Sequence, residues 1–338
     1  MDKTEAIIIY HKADNDGVFG GAIADYYVRH MQGIDSDDTH YDGYVRLYPM
    51  DYGDQIVTED TVKEWKEISD TLIIVDFSFP PKIMKVIYDT FGKGVIWLDH
   101  HKPAIEASFE HGYDKMNGIR SHHTSALMLA YQYFFDPIGE RIIAGTVPDL
   151  FQYLAAWDSF SYDDAGYTLE DVHNVNVGTE YEYGLDFTKV SNLVEEILTE
   201  WEDNPDYRWG HDEMVYNLGS IGETINNNDE RVWERMIKEY GDLDWTLDGH
   251  KAVALFSQHK TSSLCFASLK DTETVKGIVF KRKKNGGWRV NVYNINETDE
   301  HHVGKYLAER YNGGGHRGAA GCEVDDATFM KLLETKCM

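Results

Sequence analysis

Residues 94–101 read GVIWLDHH, an apolar run rich in branched side chains that stops on a carboxylate and two imidazoles. Two other runs end in the same way. AIIIYHKADNDG, residues 6–17, closes on His11, Asp14 and Asp16, and TLIIVDFS, residues 71–78, closes on Asp76. Short continuous apolar runs of this kind suit strands buried on both faces of a parallel sheet. In an open α/β sheet, ligands sit outside the carboxyl ends of the strands. The three runs therefore place a chemical site along one edge of a sheet.

Each run is followed by a helix-like stretch, at Gly17–Met31, Pro81–Phe91 and Ser125–Phe135. This alternation predicts a doubly wound α/β fold with a parallel sheet. Residues 137–160 read as mostly helical, residues 186–204 and 229–240 as amphipathic helices, and residues 203–211 as a polar, turn-rich loop. From about residue 245 strand signals return in AVALFS, GIVFKR and WRVNVYNI, with KNGG at 284–287 as a hairpin turn between the last two. A helix at 301–311 then leads into NGGGHRGAAGCEV. The expected organisation is a catalytic domain over 1–185, a helical linker over 186–244 and a smaller α+β domain over 245–338. At 338 residues, two domains are the better prior than one core.

Fifty-nine acidic against 32 basic residues give a formal charge of −27, which opposes long-range attraction to a phosphate backbone or an anionic membrane. A duplex-coating role is excluded on that ground, whereas bound divalent cations would reverse the sign locally and admit an anionic substrate. The three cysteines, Cys265, Cys322 and Cys337, are widely spaced and show no C-x-x-C pair, so neither a disulfide framework nor a thiolate zinc site is indicated. No apolar run approaches the ~18 residues of a membrane span, and with Asp2, Lys3, Thr4 and Glu5 before a short strand no signal peptide is expected. A cytoplasmic location is expected, with no membrane partner.

The chemistry is concentrated in the clusters. His11, Asp14 and Asp16 lie within six residues at a strand end, where they can face one cation or two that share a boundary. Asp76 has so many apolar neighbours that it must be paired, protonated or metal-bound, because an isolated buried charge is too costly. Asp99, His100 and His101 cannot easily all chelate one ion. The economical division gives one histidine to metal, one to substrate, and leaves the aspartate to ligate or to orient an imidazole.

The ordered set H-x-x-D-x-D-G, a lone strand-end aspartate, D-H-H and a C-terminal G-G-G-H resembles the DHH phosphoesterase superfamily with a C-terminal DHHA1 domain, over nearly the whole chain. That superfamily includes RecJ-like exonucleases, nano-RNA and phosphoadenosine-phosphate phosphatases, and cyclic-dinucleotide phosphodiesterases. The resemblance implies that His11 and Asp14 ligate one metal, Asp16 and His100 a second, and that Asp76 bridges them. It implies a further acidic ligand about fifty residues after D-H-H, for which Asp158 in AAWDSF is preferred over Asp149 in TVPDLF. His101 would then contact the scissile phosphate and Asp99 would support the site. The metals implied are two divalent ions, manganese first, with magnesium or cobalt also compatible with mixed imidazole and carboxylate ligands. Relatives commonly dimerise through the first domain, so a homodimer is expected as well.

Gly313, Gly314 and Gly315 lack a Cβ and would let backbone N–H groups approach an anion, and with His316 and Arg317 they resemble the family's substrate-binding loop. The basic run Lys281–Lys284 beside Trp288 and Arg289 reads first as a solvated hairpin tip and second as a guide for a nucleotide strand. Relatives carry a serine and an arginine where Asn291 and Tyr293 stand, which leaves substrate identity open. Before the helix at 126, Ser125 or Thr124 is expected as N-cap. The expected activity is metal-dependent hydrolysis of phosphoester bonds in small nucleotides or short single-stranded oligonucleotides, in a cleft between two domains. A 3′-phosphoadenosine-5′-phosphate phosphatase and a cyclic-dinucleotide phosphodiesterase are the alternatives within that class. The rival outside it is a catalytically silent nucleotide-binding protein.

Overall fold

A computed structural model describes residues 3–31, 44–52, 56–137, 139, 147–203, 209–258, 261, 263–270, 272–295, 302–315 and 318–338. The chain divides into two compact units, Met1–Ile225 and Asn226–Met338. The first contains β1 (Ala6–His11), α1 (Asn15–Met31), β2 (Val45–Met50), α2 (Glu59–Ile68), β3 (Leu72–Val75), α3 (Pro81–Phe91) and β4 (Val95–Leu98). It continues through the helices α4 (Lys102–His111), α5 (Ala126–Phe135), α6 (Asp149–Asp158), α7 (Tyr162–Ala165), α8 (Leu169–Tyr183) and α9 (Phe187–Asp203). The long helix α10 (Trp209–Tyr240) begins in the first unit and ends in the second.

The first sheet is parallel throughout, in the order β2-β1-β3-β4. Along each inner strand, alternate residues face opposite sides, and both sides are buried. Ile8, Tyr10, Ile73, Val75 and Leu98 join the core formed with α1, α5 and α6. Ile7, Ile9, Leu72, Ile74, Val95 and Trp97 join the other core, with α2 and α3. Two buried faces are why these strands read as unbroken apolar runs rather than as alternating ones. The edge strand β2, VRLYPM, was not anticipated: it carries Arg46 and Pro49, and only its first and last residues are buried. Pro49 is tolerated because an edge strand needs its N–H groups on one side only. Helix α9, the start of the expected linker, contributes Val190, Leu193, Val194 and Ile197 to the first unit's core.

Helix α1 lies unusually close to the sheet. A Cβ on Gly17 would stand 2.2 Å from the His11 carbonyl oxygen, and one on Gly20 would stand 2.6 Å from Val75 Cγ1. These glycines bring the N-terminus of α1 down onto the ends of β1 and β3.

The second unit is built on a mixed six-stranded sheet formed by β5 (Asp242–Leu247), β6 (His250–Phe256), β7 (Lys276–Arg282), β8 (Trp288–Asn294), β9 (Gly314–Gly315) and β10 (Ala319–Val324). Its order is β5-β6-β7-β8-β10-β9, with β6 and β7 parallel and the remaining neighbours antiparallel. Helices α11 (Val303–Tyr311) and α12 (Asp326–Thr335) pack on one face through Leu307, Phe329 and Leu332. The end of α10 covers the other through Trp233 and Ile237. The predicted hairpin turn joins β7 to β8, with Gly286 and Gly287 at φ 92° and 73°. Cys265, Cys322 and Cys337 form no disulfide. Among the described residues, no helix is long and apolar enough to cross a membrane.

Candidate metal centre

Parallel register lines up the ends of four strands. His11 is level with Met50 of β2, and Tyr10 pairs with Val75, which in turn pairs with Leu98. The next residues along β3 and β4, Asp76 and Asp99, therefore fall in one row with His11. Asp76 adopts φ 52°, in the left-handed region that side chains other than Gly, Asn and Asp avoid. Its backbone N–H is tied at 2.9 Å to the Leu98 carbonyl, which fixes the turn that aims its carboxylate inward. Strain at such a point is commonly stored where function requires it.

Three groups of ligand atoms gather here, each with its atoms within 4.8 Å of one another: His11, Asp14 and Asp76; Asp16, His100 and Asp158; and Asp76, His100 and His101. His11 Nδ1 lies 3.0 Å from Asp14 Oδ2 and 3.3 Å from Asp76 Oδ2. His100 Nε2 lies 3.3 Å from Asp76 Oδ1, 3.2 Å from Asp158 Oδ2 and 3.8 Å from Asp16 Oδ2. Asp16 is held by the N-terminus of α5, where its two oxygens accept the N–H groups of Ala126 and Leu127 at 2.8 and 2.9 Å. Ser125 caps the same helix by accepting from the Met128 N–H at 3.3 Å. Asp158, the last residue of α6, enters the cluster, while Asp149 in the first turn of that helix is bonded to Gln152 and lies in none of the three groups.

Asp99 is fully buried and takes no part in the three groups. One oxygen accepts the His101 backbone N–H at 3.0 Å and stands 2.8 Å from His101 Nδ1, and the other accepts Trp97 Nε1 at 3.1 Å. A carboxylate only accepts, so Nδ1 of His101 carries the proton and Nε2 is its free nitrogen.

Burial is the largest influence on the charges of the site, and the neighbouring carboxylates come after it. Burial pushes Asp16 up to about 7, helped by the negative charge of Asp76, and burial with the charge of Asp16 raises Asp158 well above the usual carboxylate range. Burial opposes charging of His11, yet its bonds to Asp14 and Asp76 outweigh this and lift it to about 11. For His100, burial is likewise overcome by Asp76, Asp16 and Asp158, to about 10. Asp76 Oδ1 and Asp158 Oδ2 are buried oxygens that accept no hydrogen bond, although His100 Nε2 stands near both without hydrogen-bond alignment. Buried oxygens in that condition, among imidazole nitrogens and other carboxylates, fit a divalent cation.

Two neighbours were not foreseen because β2 was not. Asp51 Oδ1 lies 3.5 Å from His11 Nε2. The ring of Tyr52 stacks on Phe77 with centroids 4.8 Å apart. The only trace of them in the sequence is the V-R-L-Y-P-M-D-Y run, whose branched and aromatic residues carry a weak strand signal.

The glycine segment belongs to the second unit. Gly314 and Gly315 form β9 against Gly321 and Ala320, and the Gly313 N–H donates to the Leu307 carbonyl at 3.1 Å. His316 and Arg317 lie outside the described residues. In the basic run, Arg282 pairs with Asp326 and Lys283 with Glu323, the pattern of a solvated hairpin. Tyr293 is buried, with its hydroxyl 2.8 Å from the Thr261 carbonyl. The Arg289 Nε donates to Asn291 Oδ1 at 3.4 Å.

No protein-family model matches the sequence, and no curated protein matches it. Solved structures do match the fold. The DHH domain of a member of a ribosomal-protein family aligns with 98% of this chain and 85% of its own, at TM-score 0.54 and 16% identity. RecJ from Thermus thermophilus, solved in complex with Mn2+, aligns with 98% of this chain at TM-score 0.51 and 17% identity. This chain spans about half of that RecJ structure, 51%.

Proposed function

We propose that this chain, a member of the DHH phosphoesterase superfamily by its fold and its ordered strand-end motifs, is a metal-dependent phosphohydrolase. Its substrates in this reading are phosphoesters of small nucleotides or short single-stranded oligonucleotides. The observation that carries the reading is the sharing of Asp76 and His100 among three ligand groups whose buried oxygens on Asp76 and Asp158 accept no hydrogen bond.

His11 and Asp14 would hold one divalent ion and Asp16, His100 and Asp158 a second, with Asp76 between them. Such ions supply a nucleophilic hydroxide at neutral pH and neutralise charge on the phosphoryl oxygens. The Mn2+ bound to the RecJ structure and the mixed imidazole and carboxylate donors favour manganese. The protein's own part is positional. The N-terminus of α5 fixes Asp16, the strained turn fixes Asp76, and Asp99 fixes the ring of His101. His101, 37% exposed at its side chain, then presents Nε2 to a phosphoryl or leaving-group oxygen. Burial opposes charging of the ring but the bond to Asp99 outweighs it, and the imidazolium so favoured donates a hydrogen bond or a proton from Nε2.

The test is release of mononucleotide from a panel of dinucleotides with manganese, alongside Asp76→Ala and His100→Ala. Turnover by the native protein, lost in both variants together with bound metal, is expected. No turnover with manganese, together with unchanged metal content in the variants, sinks the enzyme and leaves a nucleotide-binding protein.

A further inference from the structure

Strand β2 ends level with His11, and the second residue past its end is Tyr52. The ring of Tyr52 rests on Phe77 with planes 25° apart, 5.6 Å from the ring of His11, and meets the ring of His101 edge-on at 6.3 Å. Phe77 is buried, whereas Tyr52 is 54% exposed. One face of the tyrosine is thus fixed by packing while much of the residue's surface stays exposed, beside the histidine assigned to a phosphoryl group.

A large aromatic held this way gains little from burial. It is, however, immobilised in advance, so a planar ligand group that stacks on it pays little for ordering the side chain. The phenol is an uncharged group near neutral pH. It therefore adds no repulsion toward a phosphate bound alongside. A π-face next to a phosphate-directed imidazole suits a ligand in which a flat ring lies one sugar away from phosphorus.

We infer that Tyr52 is a specificity-determining residue whose open face stacks on the nucleobase adjoining the scissile phosphate. The inference rests on the phosphohydrolase reading above and assigns a residue to the selection of base-bearing substrates.

The experiment uses the full chain with manganese and two substrates, a dinucleotide carrying 2-aminopurine beside the scissile phosphate and the same compound with an abasic sugar there. Stopped-flow emission reads stacking before turnover, and steady-state rates give kcat and KM separately. The native protein should quench the 2-aminopurine signal. Tyr52→Ala should lose the quench and raise KM for the base-bearing substrate about tenfold, as expected for one stacked base, with kcat far less affected. Tyr52→Phe should restore both, and the abasic substrate should show no such KM difference between native protein and Tyr52→Ala. A full quench with native KM in Tyr52→Ala overturns the inference, as does an equal loss on the abasic substrate, which would make Tyr52 a prop for Phe77 and His11. In both of those results the native enzyme still turns over, so the phosphohydrolase reading stands. Absence of turnover of either substrate by the native protein overturns that reading, and the inference falls with it.

Discussion

Asp99 grips His101 twice through one oxygen, 3.0 Å from its backbone N–H and 2.8 Å from its ring Nδ1. The other oxygen is held by the Trp97 indole, so the carboxylate cannot turn. Backbone and ring of His101 are thus fixed by one buried group, which keeps a proton on Nδ1 and leaves Nε2 as the nitrogen without a bond to Asp99.

Asp99→Asn should therefore lower kcat by about 10- to 100-fold, the usual cost of losing a carboxylate that orients a functional histidine. Bound metal, counted by mass spectrometry, should stay at the native level, because Asp99 is itself a member of none of the three ligand groups and the one member it holds, His101, is assigned to substrate rather than to metal. Native kcat in this variant would remove the orienting role.

Asp76 combines a shared ligand position with a strained backbone, and two substitutions separate the properties. Asp76→Asn and Asp76→Ala should both lose divalent-ion binding in calorimetric titration. Asparagine tolerates φ 52° better than alanine does, so the alanine variant should be less stable than the asparagine variant by about 1 kcal/mol in metal-free denaturant unfolding. Equal stability would show that the turn stores no strain at this residue.

What the sequence made legible follows from burial. Three strands covered on both faces wrote themselves as apolar runs, and the residues that break those runs, His11, Asp76 and Asp99–His101, stand together at the sheet edge. Strand β2 is exposed at several positions and interrupted by Pro49, so no period marked it, and Asp51 and Tyr52 were hidden with it. Asp158 sits at the end of a helix, where neither period nor spacing distinguishes it from Asp149, and only the family resemblance preferred it. The triple glycine read as a loop because glycine carries no strand signal, yet Gly314 and Gly315 pair as a short strand on β10.

The metal-free protein should lose stability as pH rises. His11 at about 11 and His100 at about 10 lie above the imidazole's ordinary 6.5, so the fold holds protons there that the unfolded chain releases. Their contribution is complete below about 6.5 and is lost toward 10 to 11. Asp16, lifted from 3.8 to about 7, has the same sign over a lower window. Because ligation must displace these protons, manganese binding should release protons and should tighten as pH rises. The melting temperature without metal should fall between pH 7 and 10 while the increment from added manganese grows. A metal-free melting temperature that rises over this interval would contradict the arrangement.

Gly17 is where α1 meets the end of β1, and its missing Cβ is filled by backbone that cannot move aside. Gly17→Ala should cost about 3 kcal/mol, the upper end for overpacking, and should weaken metal binding by displacing His11. Gly20→Ala meets a Val75 methyl instead and should cost less. Unfolding of the two variants side by side checks the order, and a milder Gly17→Ala would mean that α1 can lift from the sheet without loss.

Phe160 closes α6 just past Asp158, with φ 53° and 69% of its surface exposed. The Ser161 N–H returns to the Ala156 carbonyl at 3.1 Å and the Phe160 N–H to Trp157 at 3.4 Å, so the chain turns back over the helix end in a left-handed cap. Glycine normally fills that position, because a Cβ there costs roughly 1 kcal/mol. The exposed ring recovers little of this through burial, its nearest aromatic partner being Trp157 at 6.4 Å. Phe160→Gly should then stabilise the first unit by about 1 kcal/mol, or roughly 2 °C in melting temperature, with metal content unchanged because the cap hydrogen bonds come from backbone. A lower melting temperature would mean that the Trp157 contact outweighs the strain, and the end of α6 that carries Asp158 would then be held by side-chain packing rather than by its cap.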